Sequence, residues 1–133
     1  MLRAVADTHV IIWYIFADPQ LSDTARTTIE EIATEGNQVA FSSITLASIV
    51  HLSEKDRIHE ATLDRLLMAV DGEHAVLVEI PFDRNIAQAL RRVEQQQIPD
   101  LADRIIAATA LYLDLPVISR DSRIQLAEVK TIW

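Results

Sequence analysis

Two aspartates three residues apart, Asp100 and Asp103, stand at the start of the most apolar helix that the sequence predicts. Pro99 favours a turn before them, and Asp103 is a residue type that often caps a helix. In the first helical turn, carboxylates at this spacing lie on one side, beside backbone N–H groups that favour negative charge. Capping alone would explain the pair, and it is the more common reason for acids at a helix start. Such a pair could also help to bind a divalent cation.

Two further acids occupy comparable places in the chain. Asp7 follows a predicted strand at 2–6, and Asp121 comes shortly after a predicted strand at 116–118. The carboxyl ends of parallel strands lie at one edge of a sheet, so these acids can meet the pair that opens the apolar helix. For Asp7, capping of the following helix is an equally good explanation from the local sequence.

Carboxylates that gather at one place repel each other unless a cation holds them. Mg²⁺ or Mn²⁺ suits such a site, because these ions take oxygen ligands and Mg²⁺ keeps several waters for substrate phosphates. The chemistry that follows is metal-assisted attack of water on a phosphodiester. The predicted metal ligands, direct or through water, are Asp7, Asp103 and Asp121, with Asp100 as an outer ligand or water-orienting group. The hydroxyl groups of Thr8 and Ser119 are predicted to hydrogen-bond these carboxylates.

Alternating predicted strands and helices must bring these acids together. Further strands are predicted at 38–42, 75–80 and 130–133. Helices are predicted after Asp7, at 23–35, from 43 or 45 to 52, at 59–70, after Asp83, in the apolar stretch that follows residue 104, and briefly near 124–127. This alternation predicts an α/β fold, a three-layer α/β/α sandwich with a mostly parallel central sheet.

The composition favours one ordered domain that spans residues 1–133. The chain is 50% hydrophobic and contains two glycines, four prolines and no cysteine. Any metal must therefore be held by oxygen or imidazole, and the scarcity of glycine argues against a P-loop or a dinucleotide fold. The longest apolar run, 10–16, is too short to cross a bilayer, and no signal peptide is recognisable. We expect a cytoplasmic protein with no membrane partner.

A formal net charge of −8 is unusual for a nucleic-acid-binding protein. A bound cation would, however, turn an acidic cluster into a site that attracts phosphate. Ten of the twelve basic residues are arginine, the better side chain for bidentate phosphate contacts. Arg104 and Arg120 lie next to the candidate acids in sequence and are predicted to contact substrate, although ordinary ion pairs would also explain them.

Four segments together resemble the PIN-domain ribonucleases, in particular the VapC toxins of toxin–antitoxin pairs. They are ADTH at 6–9, SSITLA at 42–47, PDLADRIIAATA at 99–110 and ISRD at 118–121. The resemblance covers essentially the whole chain and implies a compact α/β sandwich with Mg²⁺- or Mn²⁺-dependent endoribonuclease activity. It further implies an RNA substrate, a small VapB-type antitoxin that doubles as a DNA-binding repressor, and a homodimer. The family's acidic pattern carries over to Asp7, Asp103 and Asp121, with Asp100 as an auxiliary acid.

The catalytic pattern departs from the family at one position. After ITLA at 44–47 the family has a glutamate, and this chain has Ser48. Glu54 is no replacement, since six residues place it on another face of the helix. The serine could be an engineered substitution that tolerates a toxic enzyme, a natural loss of activity, or part of a site that works with the remaining aspartates. We predict weakened metal binding and at most reduced nuclease activity.

Aromatic residues concentrate on the first predicted helix, where core packing is the default role for Trp13, Tyr14 and Phe16. The resemblance implies an antitoxin groove near the early helices, so Trp13 and Tyr14 are also candidate partner contacts. His9, two residues after Asp7, is close enough to the predicted site to contact substrate.

Two other functions compete with the nuclease. A catalytically silent PIN-like module could act through antitoxin binding or dimerisation alone. An aspartyl-phosphate protein, such as a receiver domain or a haloacid-dehalogenase-type phosphatase, is a weaker alternative. The phosphatases need a second aspartate where this chain has His9, and both groups need a well-placed lysine, whereas only Lys55 and Lys130 occur.

Overall fold

The computed structural model describes residues 1–124 and 128–133, and in this part of the chain five parallel strands form one sheet. The strands are β1 (Leu2–Ala6), β2 (Gln38–Ser42), β3 (Leu77–Ile80), β4 (Val117–Ile118) and β5 (Thr131–Ile132). Their order across the sheet is β3-β2-β1-β4-β5, so β1 is central. Every pairing is parallel, and β1 and β4 are in register at Val5 with Val117 and at Ala6 with Ile118.

Helices connect successive strands of the sheet. Within the described residues they are α1 (Thr8–Ile15), α2 (Asp23–Thr34), α3 (Ile44–Glu54), α4 (Thr62–Asp71), α5 (Arg84–Leu90) and α6 (Leu101–Leu113). None of the helices in residues 1–124 and 128–133 combines the length and the apolar character needed to cross a bilayer.

The alternation of side chains along the central strand separates two hydrophobic cores. Ala4 and Ala6 face a cluster that includes Ile11 of α1 and Ile29 of α2. Val5 points to the opposite face, where it joins a cluster built largely from α5 and α6. Successive strand residues point to opposite faces, and each face carries its own cluster of helix residues. Helices therefore cover both sides of the sheet. The predicted three-layer α/β/α sandwich is confirmed.

Element boundaries differ from the prediction in two informative places. The last long helix begins at Leu101 and its N-cap is Asp100, whose Oδ1 accepts from the backbone N–H of Asp103 at 2.9 Å. The prediction that Asp103 caps this helix was therefore wrong, and Asp103 lies within the first turn. The fourth helix begins at Thr62 because His59, predicted to be helical, makes the preceding turn and accepts from the Thr62 hydroxyl through its carbonyl. The brief helix predicted near 124–127 falls almost entirely outside the described residues.

Candidate active site

Asp7 lies at the carboxyl end of the central strand and is 8% exposed. Its Oδ1 accepts from the backbone N–H of Val10 at 3.0 Å, so the residue caps α1. Its Oδ2 accepts a hydrogen bond from the hydroxyl of Ser119. Capping uses one carboxylate oxygen of Asp7, and the other is held by a residue 112 positions away. The two explanations offered for Asp7 are thus compatible.

Ser119 connects the ends of β1 and β4. The strand register continues past Ala6 and Ile118, and the backbone N–H of Asp7 donates to the carbonyl of Ile118 at 3.1 Å. The buried Ser119 hydroxyl, which donates to Asp7, also accepts from the backbone N–H of Asp121 at 3.0 Å. A single hydroxyl group therefore sets the position of Asp7 relative to Asp121, as the sequence predicted for Ser119.

A cleft of about 440 Å³ opens above these strand ends. We call it the acidic cleft, and its defining residues are Asp7, Ser48, Asp100, Asp103 and Asp121. The end of β1, the first turn of α6 and the loop after β4 supply the four acids, and α3 supplies Ser48. The four predicted acids, which come from three separate parts of the sequence, thus line one cleft.

Burial and charge repulsion both act on the acids of the acidic cleft. Burial, together with the charges of Asp100, Asp121 and Asp7, raises the pKa of Asp103 from its usual 3.8 to about 6. Burial also raises the pKa of Asp7, although the hydrogen bonds from Ser119 and Val10 work in the opposite direction. A bound cation would offset both the cost of burying these charges and the repulsion between them. Acids with such raised pKa values therefore indicate a candidate cation site.

The donor set of the acidic cleft fits a hard divalent cation. All four acids offer carboxylate oxygens, which Mg²⁺ and Mn²⁺ prefer, and the protein contains no thiol. Among residues 1–124 and 128–133, no three acidic or histidine side chains stand close enough to form a ready-made metal cage. Mg²⁺ needs none, because it is usually held by one or two carboxylates and keeps several of its waters.

The family model of the PIN domain matches residues 4–130 of the chain. The chain belongs to the PIN domain family. The match runs from β1 to the last residue before β5, so it includes all the acids of the cleft. The resemblance seen in the four sequence segments is confirmed at the level of the family. No curated protein sequence is similar enough to count as a relative.

Solved structures share the fold of this PIN domain at low sequence identity. A chain in the crystal structure of VapBC2 from Rickettsia felis bound to a promoter DNA fragment is 18% identical, with a TM-score of 0.72. It covers 98% of this chain and 97% of its own. A chain in a toxin–antitoxin complex from Klebsiella pneumoniae is 23% identical, with a TM-score of 0.67, and the match covers 98% of this chain and 96% of that one. A chain in the crystal structure of DNA-bound VapBC from Salmonella typhimurium is 20% identical, with a TM-score of 0.68, and the match covers 98% of this chain and 97% of that one.

One predicted supporting hydroxyl of the PIN domain has a different role. The Thr8 hydroxyl lies 3.1 Å from that of Thr45, and both residues are buried. Thr8 does line the acidic cleft, but its hydrogen bond joins α1 to α3 instead of holding a carboxylate. The prediction for Thr8 is corrected accordingly, because the nearest partner for its hydroxyl comes from the helix that crosses next to it.

Arg104 is not brought to the acidic cleft. Its guanidinium donates to the carbonyl of Val93 at 3.2 and 3.0 Å and to that of Leu90 at 3.4 Å. These carbonyls lie at and just beyond the end of α5, so the side chain joins α6 to α5. The Nε and Nη2 groups of Arg104 are thus engaged within the protein and away from the acidic cleft, which argues against the predicted contact with a substrate phosphate.

Replacing Arg104 should affect stability and leave catalysis unchanged. In Arg104→Met, the two carbonyls lose their charged donor, which we expect to lower the free energy of unfolding by about 1–3 kcal/mol. Urea denaturation measures this change, with the exposed Arg91→Met as the matched control. RNA cleavage per folded molecule should stay within about twofold of the parent chain, well under 1 kcal/mol of activation free energy. Lost cleavage at unchanged stability would return Arg104 to the substrate-binding residues.

The other predicted contact residues lie at or near the acidic cleft. The exposed Arg120 stacks on the ring of Trp13, with 4.7 Å from its Cζ to the ring centroid, and both residues line the cleft. Trp13 is only 5% exposed and also packs near Trp133, at 5.9 Å between ring centroids. Tyr14 is half-buried against the core, and burial raises the pKa of its hydroxyl.

Sequence reasoning missed His51, which lines the acidic cleft; Arg123, a neighbour of Asp121 in the sequence, lines it as well. His51 lies three positions after Ser48 on α3, and this spacing, which places both on one helix face, was an available signal. Arg123 lies 3.6 Å from Asp121 through its Nε, and its backbone N–H donates to the same carboxylate at 2.9 Å. Its positive charge offsets part of the rise in the pKa of Asp103.

Proposed function

We propose that this chain is the toxin of a toxin–antitoxin pair, a metal-dependent endoribonuclease that hydrolyses RNA phosphodiester bonds. The single observation that carries the proposal is the convergence of four carboxylates on one cleft in a PIN domain. Raised pKa values for Asp7 and Asp103 support it, because a purely capping role for these acids does not require their mutual repulsion. We also propose that residues 1–133 act as one domain.

In this proposal Asp7, Asp103 and Asp121 would hold Mg²⁺ or Mn²⁺ directly or through water, with Asp100 further out. When bound, the ion would supply hydroxide for the attack and stabilise the oxygen that leaves the phosphorus. The protein's own contribution is positional. Ser119 holds Asp7, the Asp121 backbone is held by Ser119 in turn, and Arg120 and Arg123 offer guanidinium groups to the RNA.

The proposed protein partner is a small antitoxin, with a second copy of the chain as a further partner. Support comes from the solved structures of similar fold, which include toxin–antitoxin and VapBC complexes. Trp13 and Tyr14 are the proposed contacts on α1, and Tyr14 is the more accessible of the two. A protein without metal-dependent activity that still binds such a partner would be the silent module.

Ser48 is the proposed reason for reduced activity. It lines the acidic cleft from α3 and is partly exposed there, but its short neutral side chain adds no carboxylate. With one charge fewer, the remaining acids should bind a cation more weakly. The resulting enzyme would cleave RNA slowly and would need more metal than a chain with glutamate at this position.

The proposal is tested by incubating the purified chain with labelled single-stranded RNA in millimolar Mg²⁺ or Mn²⁺, and separately in excess chelator. We expect slow internal cleavage with either metal, and a rate at least about tenfold lower in chelator, because the attacking hydroxide depends on the ion. DNA of the same sequence is the substrate control. Equal cleavage with and without chelator would contradict the metal mechanism, and no cleavage by a folded chain at high metal concentration would favour the silent module.

A further inference from the structure

A second cleft, of about 660 Å³, runs on from the acidic cleft. The two clefts share His9, Trp13, Leu52 and Arg120, so there is a continuous surface from one to the other. The far part of the second cleft is reached at Phe16, Arg57 and His59, none of which lines the acidic cleft. A polymer bound in the acidic cleft can therefore extend along this surface.

The same arrangement of side chains occurs twice along the second cleft, with every member lining the cleft except Arg65, which lies beside it. Trp13 has the Arg120 guanidinium 4.7 Å above its ring centroid and the His9 ring 5.5 Å away. One helical turn later, Phe16 has the Arg65 guanidinium 4.7 Å from its centroid and the His59 ring at 6.5 Å. In both units the aromatic ring is the more buried member.

What these two units present to solvent is flat and cationic. His9, His59, Arg65 and Arg120 are all exposed, and the rings beneath them hold the guanidinium groups in a fixed orientation. Guanidinium planes and imidazole rings are surfaces on which unpaired bases stack. A bound protein segment would gain most by packing on the apolar rings, but the arginine and histidine side chains already cover these rings.

The second cleft is positively charged, whereas the protein as a whole is negatively charged. Arg57 and Arg120 line it, and within residues 1–124 and 128–133 neither has a carboxylate within salt-bridge distance. Asp18, the one acid that lines it among the described residues, already accepts from the Gln20 backbone at 2.9 Å. On a chain with a formal net charge of −8, this is a local cationic path. Such a path with stacking groups is typical of single-strand nucleic-acid binding.

We propose that the second cleft binds the single-stranded RNA that flanks the scissile phosphate, with Arg57 on its backbone and the two arginine–aromatic–histidine units under its bases. This inference rests on the proposed ribonuclease function for the identity of the strand. It adds a binding path of several nucleotides that begins at Arg120, beside the acids, and reaches His59.

The test measures RNA binding and needs no cleavage. Fluorescence anisotropy follows a labelled 12-nucleotide single-stranded RNA bound to the full chain in excess chelator. Arg57→Gln removes a cation that lines only the second cleft, and we expect about three- to tenfold weaker binding and a salt slope smaller by about 0.7. Arg57→Lys should restore most of the slope, since it keeps the charge. The exposed Arg91→Gln is the control and should change neither value.

A second probe separates bases from phosphates. An abasic oligonucleotide of the same length keeps the charge but cannot stack, and we expect it to bind the parent chain at least about fivefold more weakly. Equal binding of abasic and normal RNA, or equal losses in Arg57→Gln and Arg91→Gln, would overturn the proposal and leave the cleft to a protein partner. Arg57-dependent binding without any metal-dependent cleavage would support this path and reject the ribonuclease. Metal-dependent cleavage with no Arg57 effect would reject the path alone.

Discussion

Ser48→Glu is expected to raise metal-dependent RNA cleavage by about 10- to 100-fold, the range over which supporting groups alter metal affinity and activity. The new carboxylate would enter the acidic cleft from α3 and would add one more negative charge to those of the four aspartates. Because it acts through the cation, the effect should be largest at low Mg²⁺. A titration of cleavage rate against Mg²⁺ or Mn²⁺ measures both the midpoint and the maximum.

Two control variants isolate the cause. Ser48→Gln gives nearly the same length without charge, and Ala47→Glu places the same charge one residue away on an exposed position that does not line the cleft. Neither should shift the metal midpoint by more than about twofold, since a screened surface charge is worth well under 1 kcal/mol. If Ser48→Glu behaves like these two, the position is not a metal position in this chain, and the attenuated enzyme is the wrong description.

Asp103→Asn should lower cleavage and raise stability at the same time. In the Ser48→Glu background, where the rate is easier to measure, we expect a loss of about 100-fold or more, as for groups that act on the reacting charge. In chelator at pH 7.5 the same variant should be more stable than its parent, because it removes a charge that burial and neighbouring acids disfavour.

The sign of this stability effect follows from the pKa of Asp103, which rises from 3.8 to about 6 in the folded protein. Above pH 6 the folded protein must hold a charged Asp103, and this costs stability; below about pH 4 the group is protonated in both states and costs nothing. The full shift corresponds to about 3 kcal/mol. Partial contact with water reduces the expected gain in Asp103→Asn to about 1 kcal/mol.

Denaturation in urea at pH 7.5 and pH 4.5 measures the effect, with chelator present throughout. The advantage of Asp103→Asn should be clear at pH 7.5 and shrink towards zero at pH 4.5. Asp64→Asn is the matched control, since Asp64 is an exposed acid in the first turn of α4 and lies outside the cleft. An Asp103→Asn protein that is destabilised at pH 7.5 would show that this acid mainly supports the helix.

Strand-ending acids were predictable because the rule that places them is a property of the sheet. Asp7 and Asp121 follow strands of β-branched and small apolar residues, and parallel pairing brings such ends to one edge whatever lies between. Periodicity likewise gave the order of helices and strands, with β2 predicted to the residue. The three-layer fold needed no further information, whereas the central place of β1 in the sheet was not predicted.

The orientation of single side chains was much harder to predict. Sequence proximity suggested that Arg104 serves the acids, yet α5 presents two carbonyls within its reach. Thr8 finds Thr45, 37 residues away, in place of a carboxylate. The cap of α6 was assigned to the wrong aspartate of the pair, because both are suitable residue types. For Arg104 and Thr8, a tertiary neighbour that the local sequence pattern does not encode determined the contact.

The hydrogen bond from Ser119 to Asp7 also bears on the order in which the site forms during synthesis. The acids of the cleft come from residues 7, 100, 103 and 121, so nearly every contact among them closes a long loop, and such contacts form slowly. A chain emerging from the ribosome at 5–20 residues per second carries Asp7 for many seconds before Ser119 exists to hold it. Until β4 pairs with β1, the growing polypeptide has no assembled acidic cleft, so the proposed nuclease would not act on cellular RNA beside the translating ribosome.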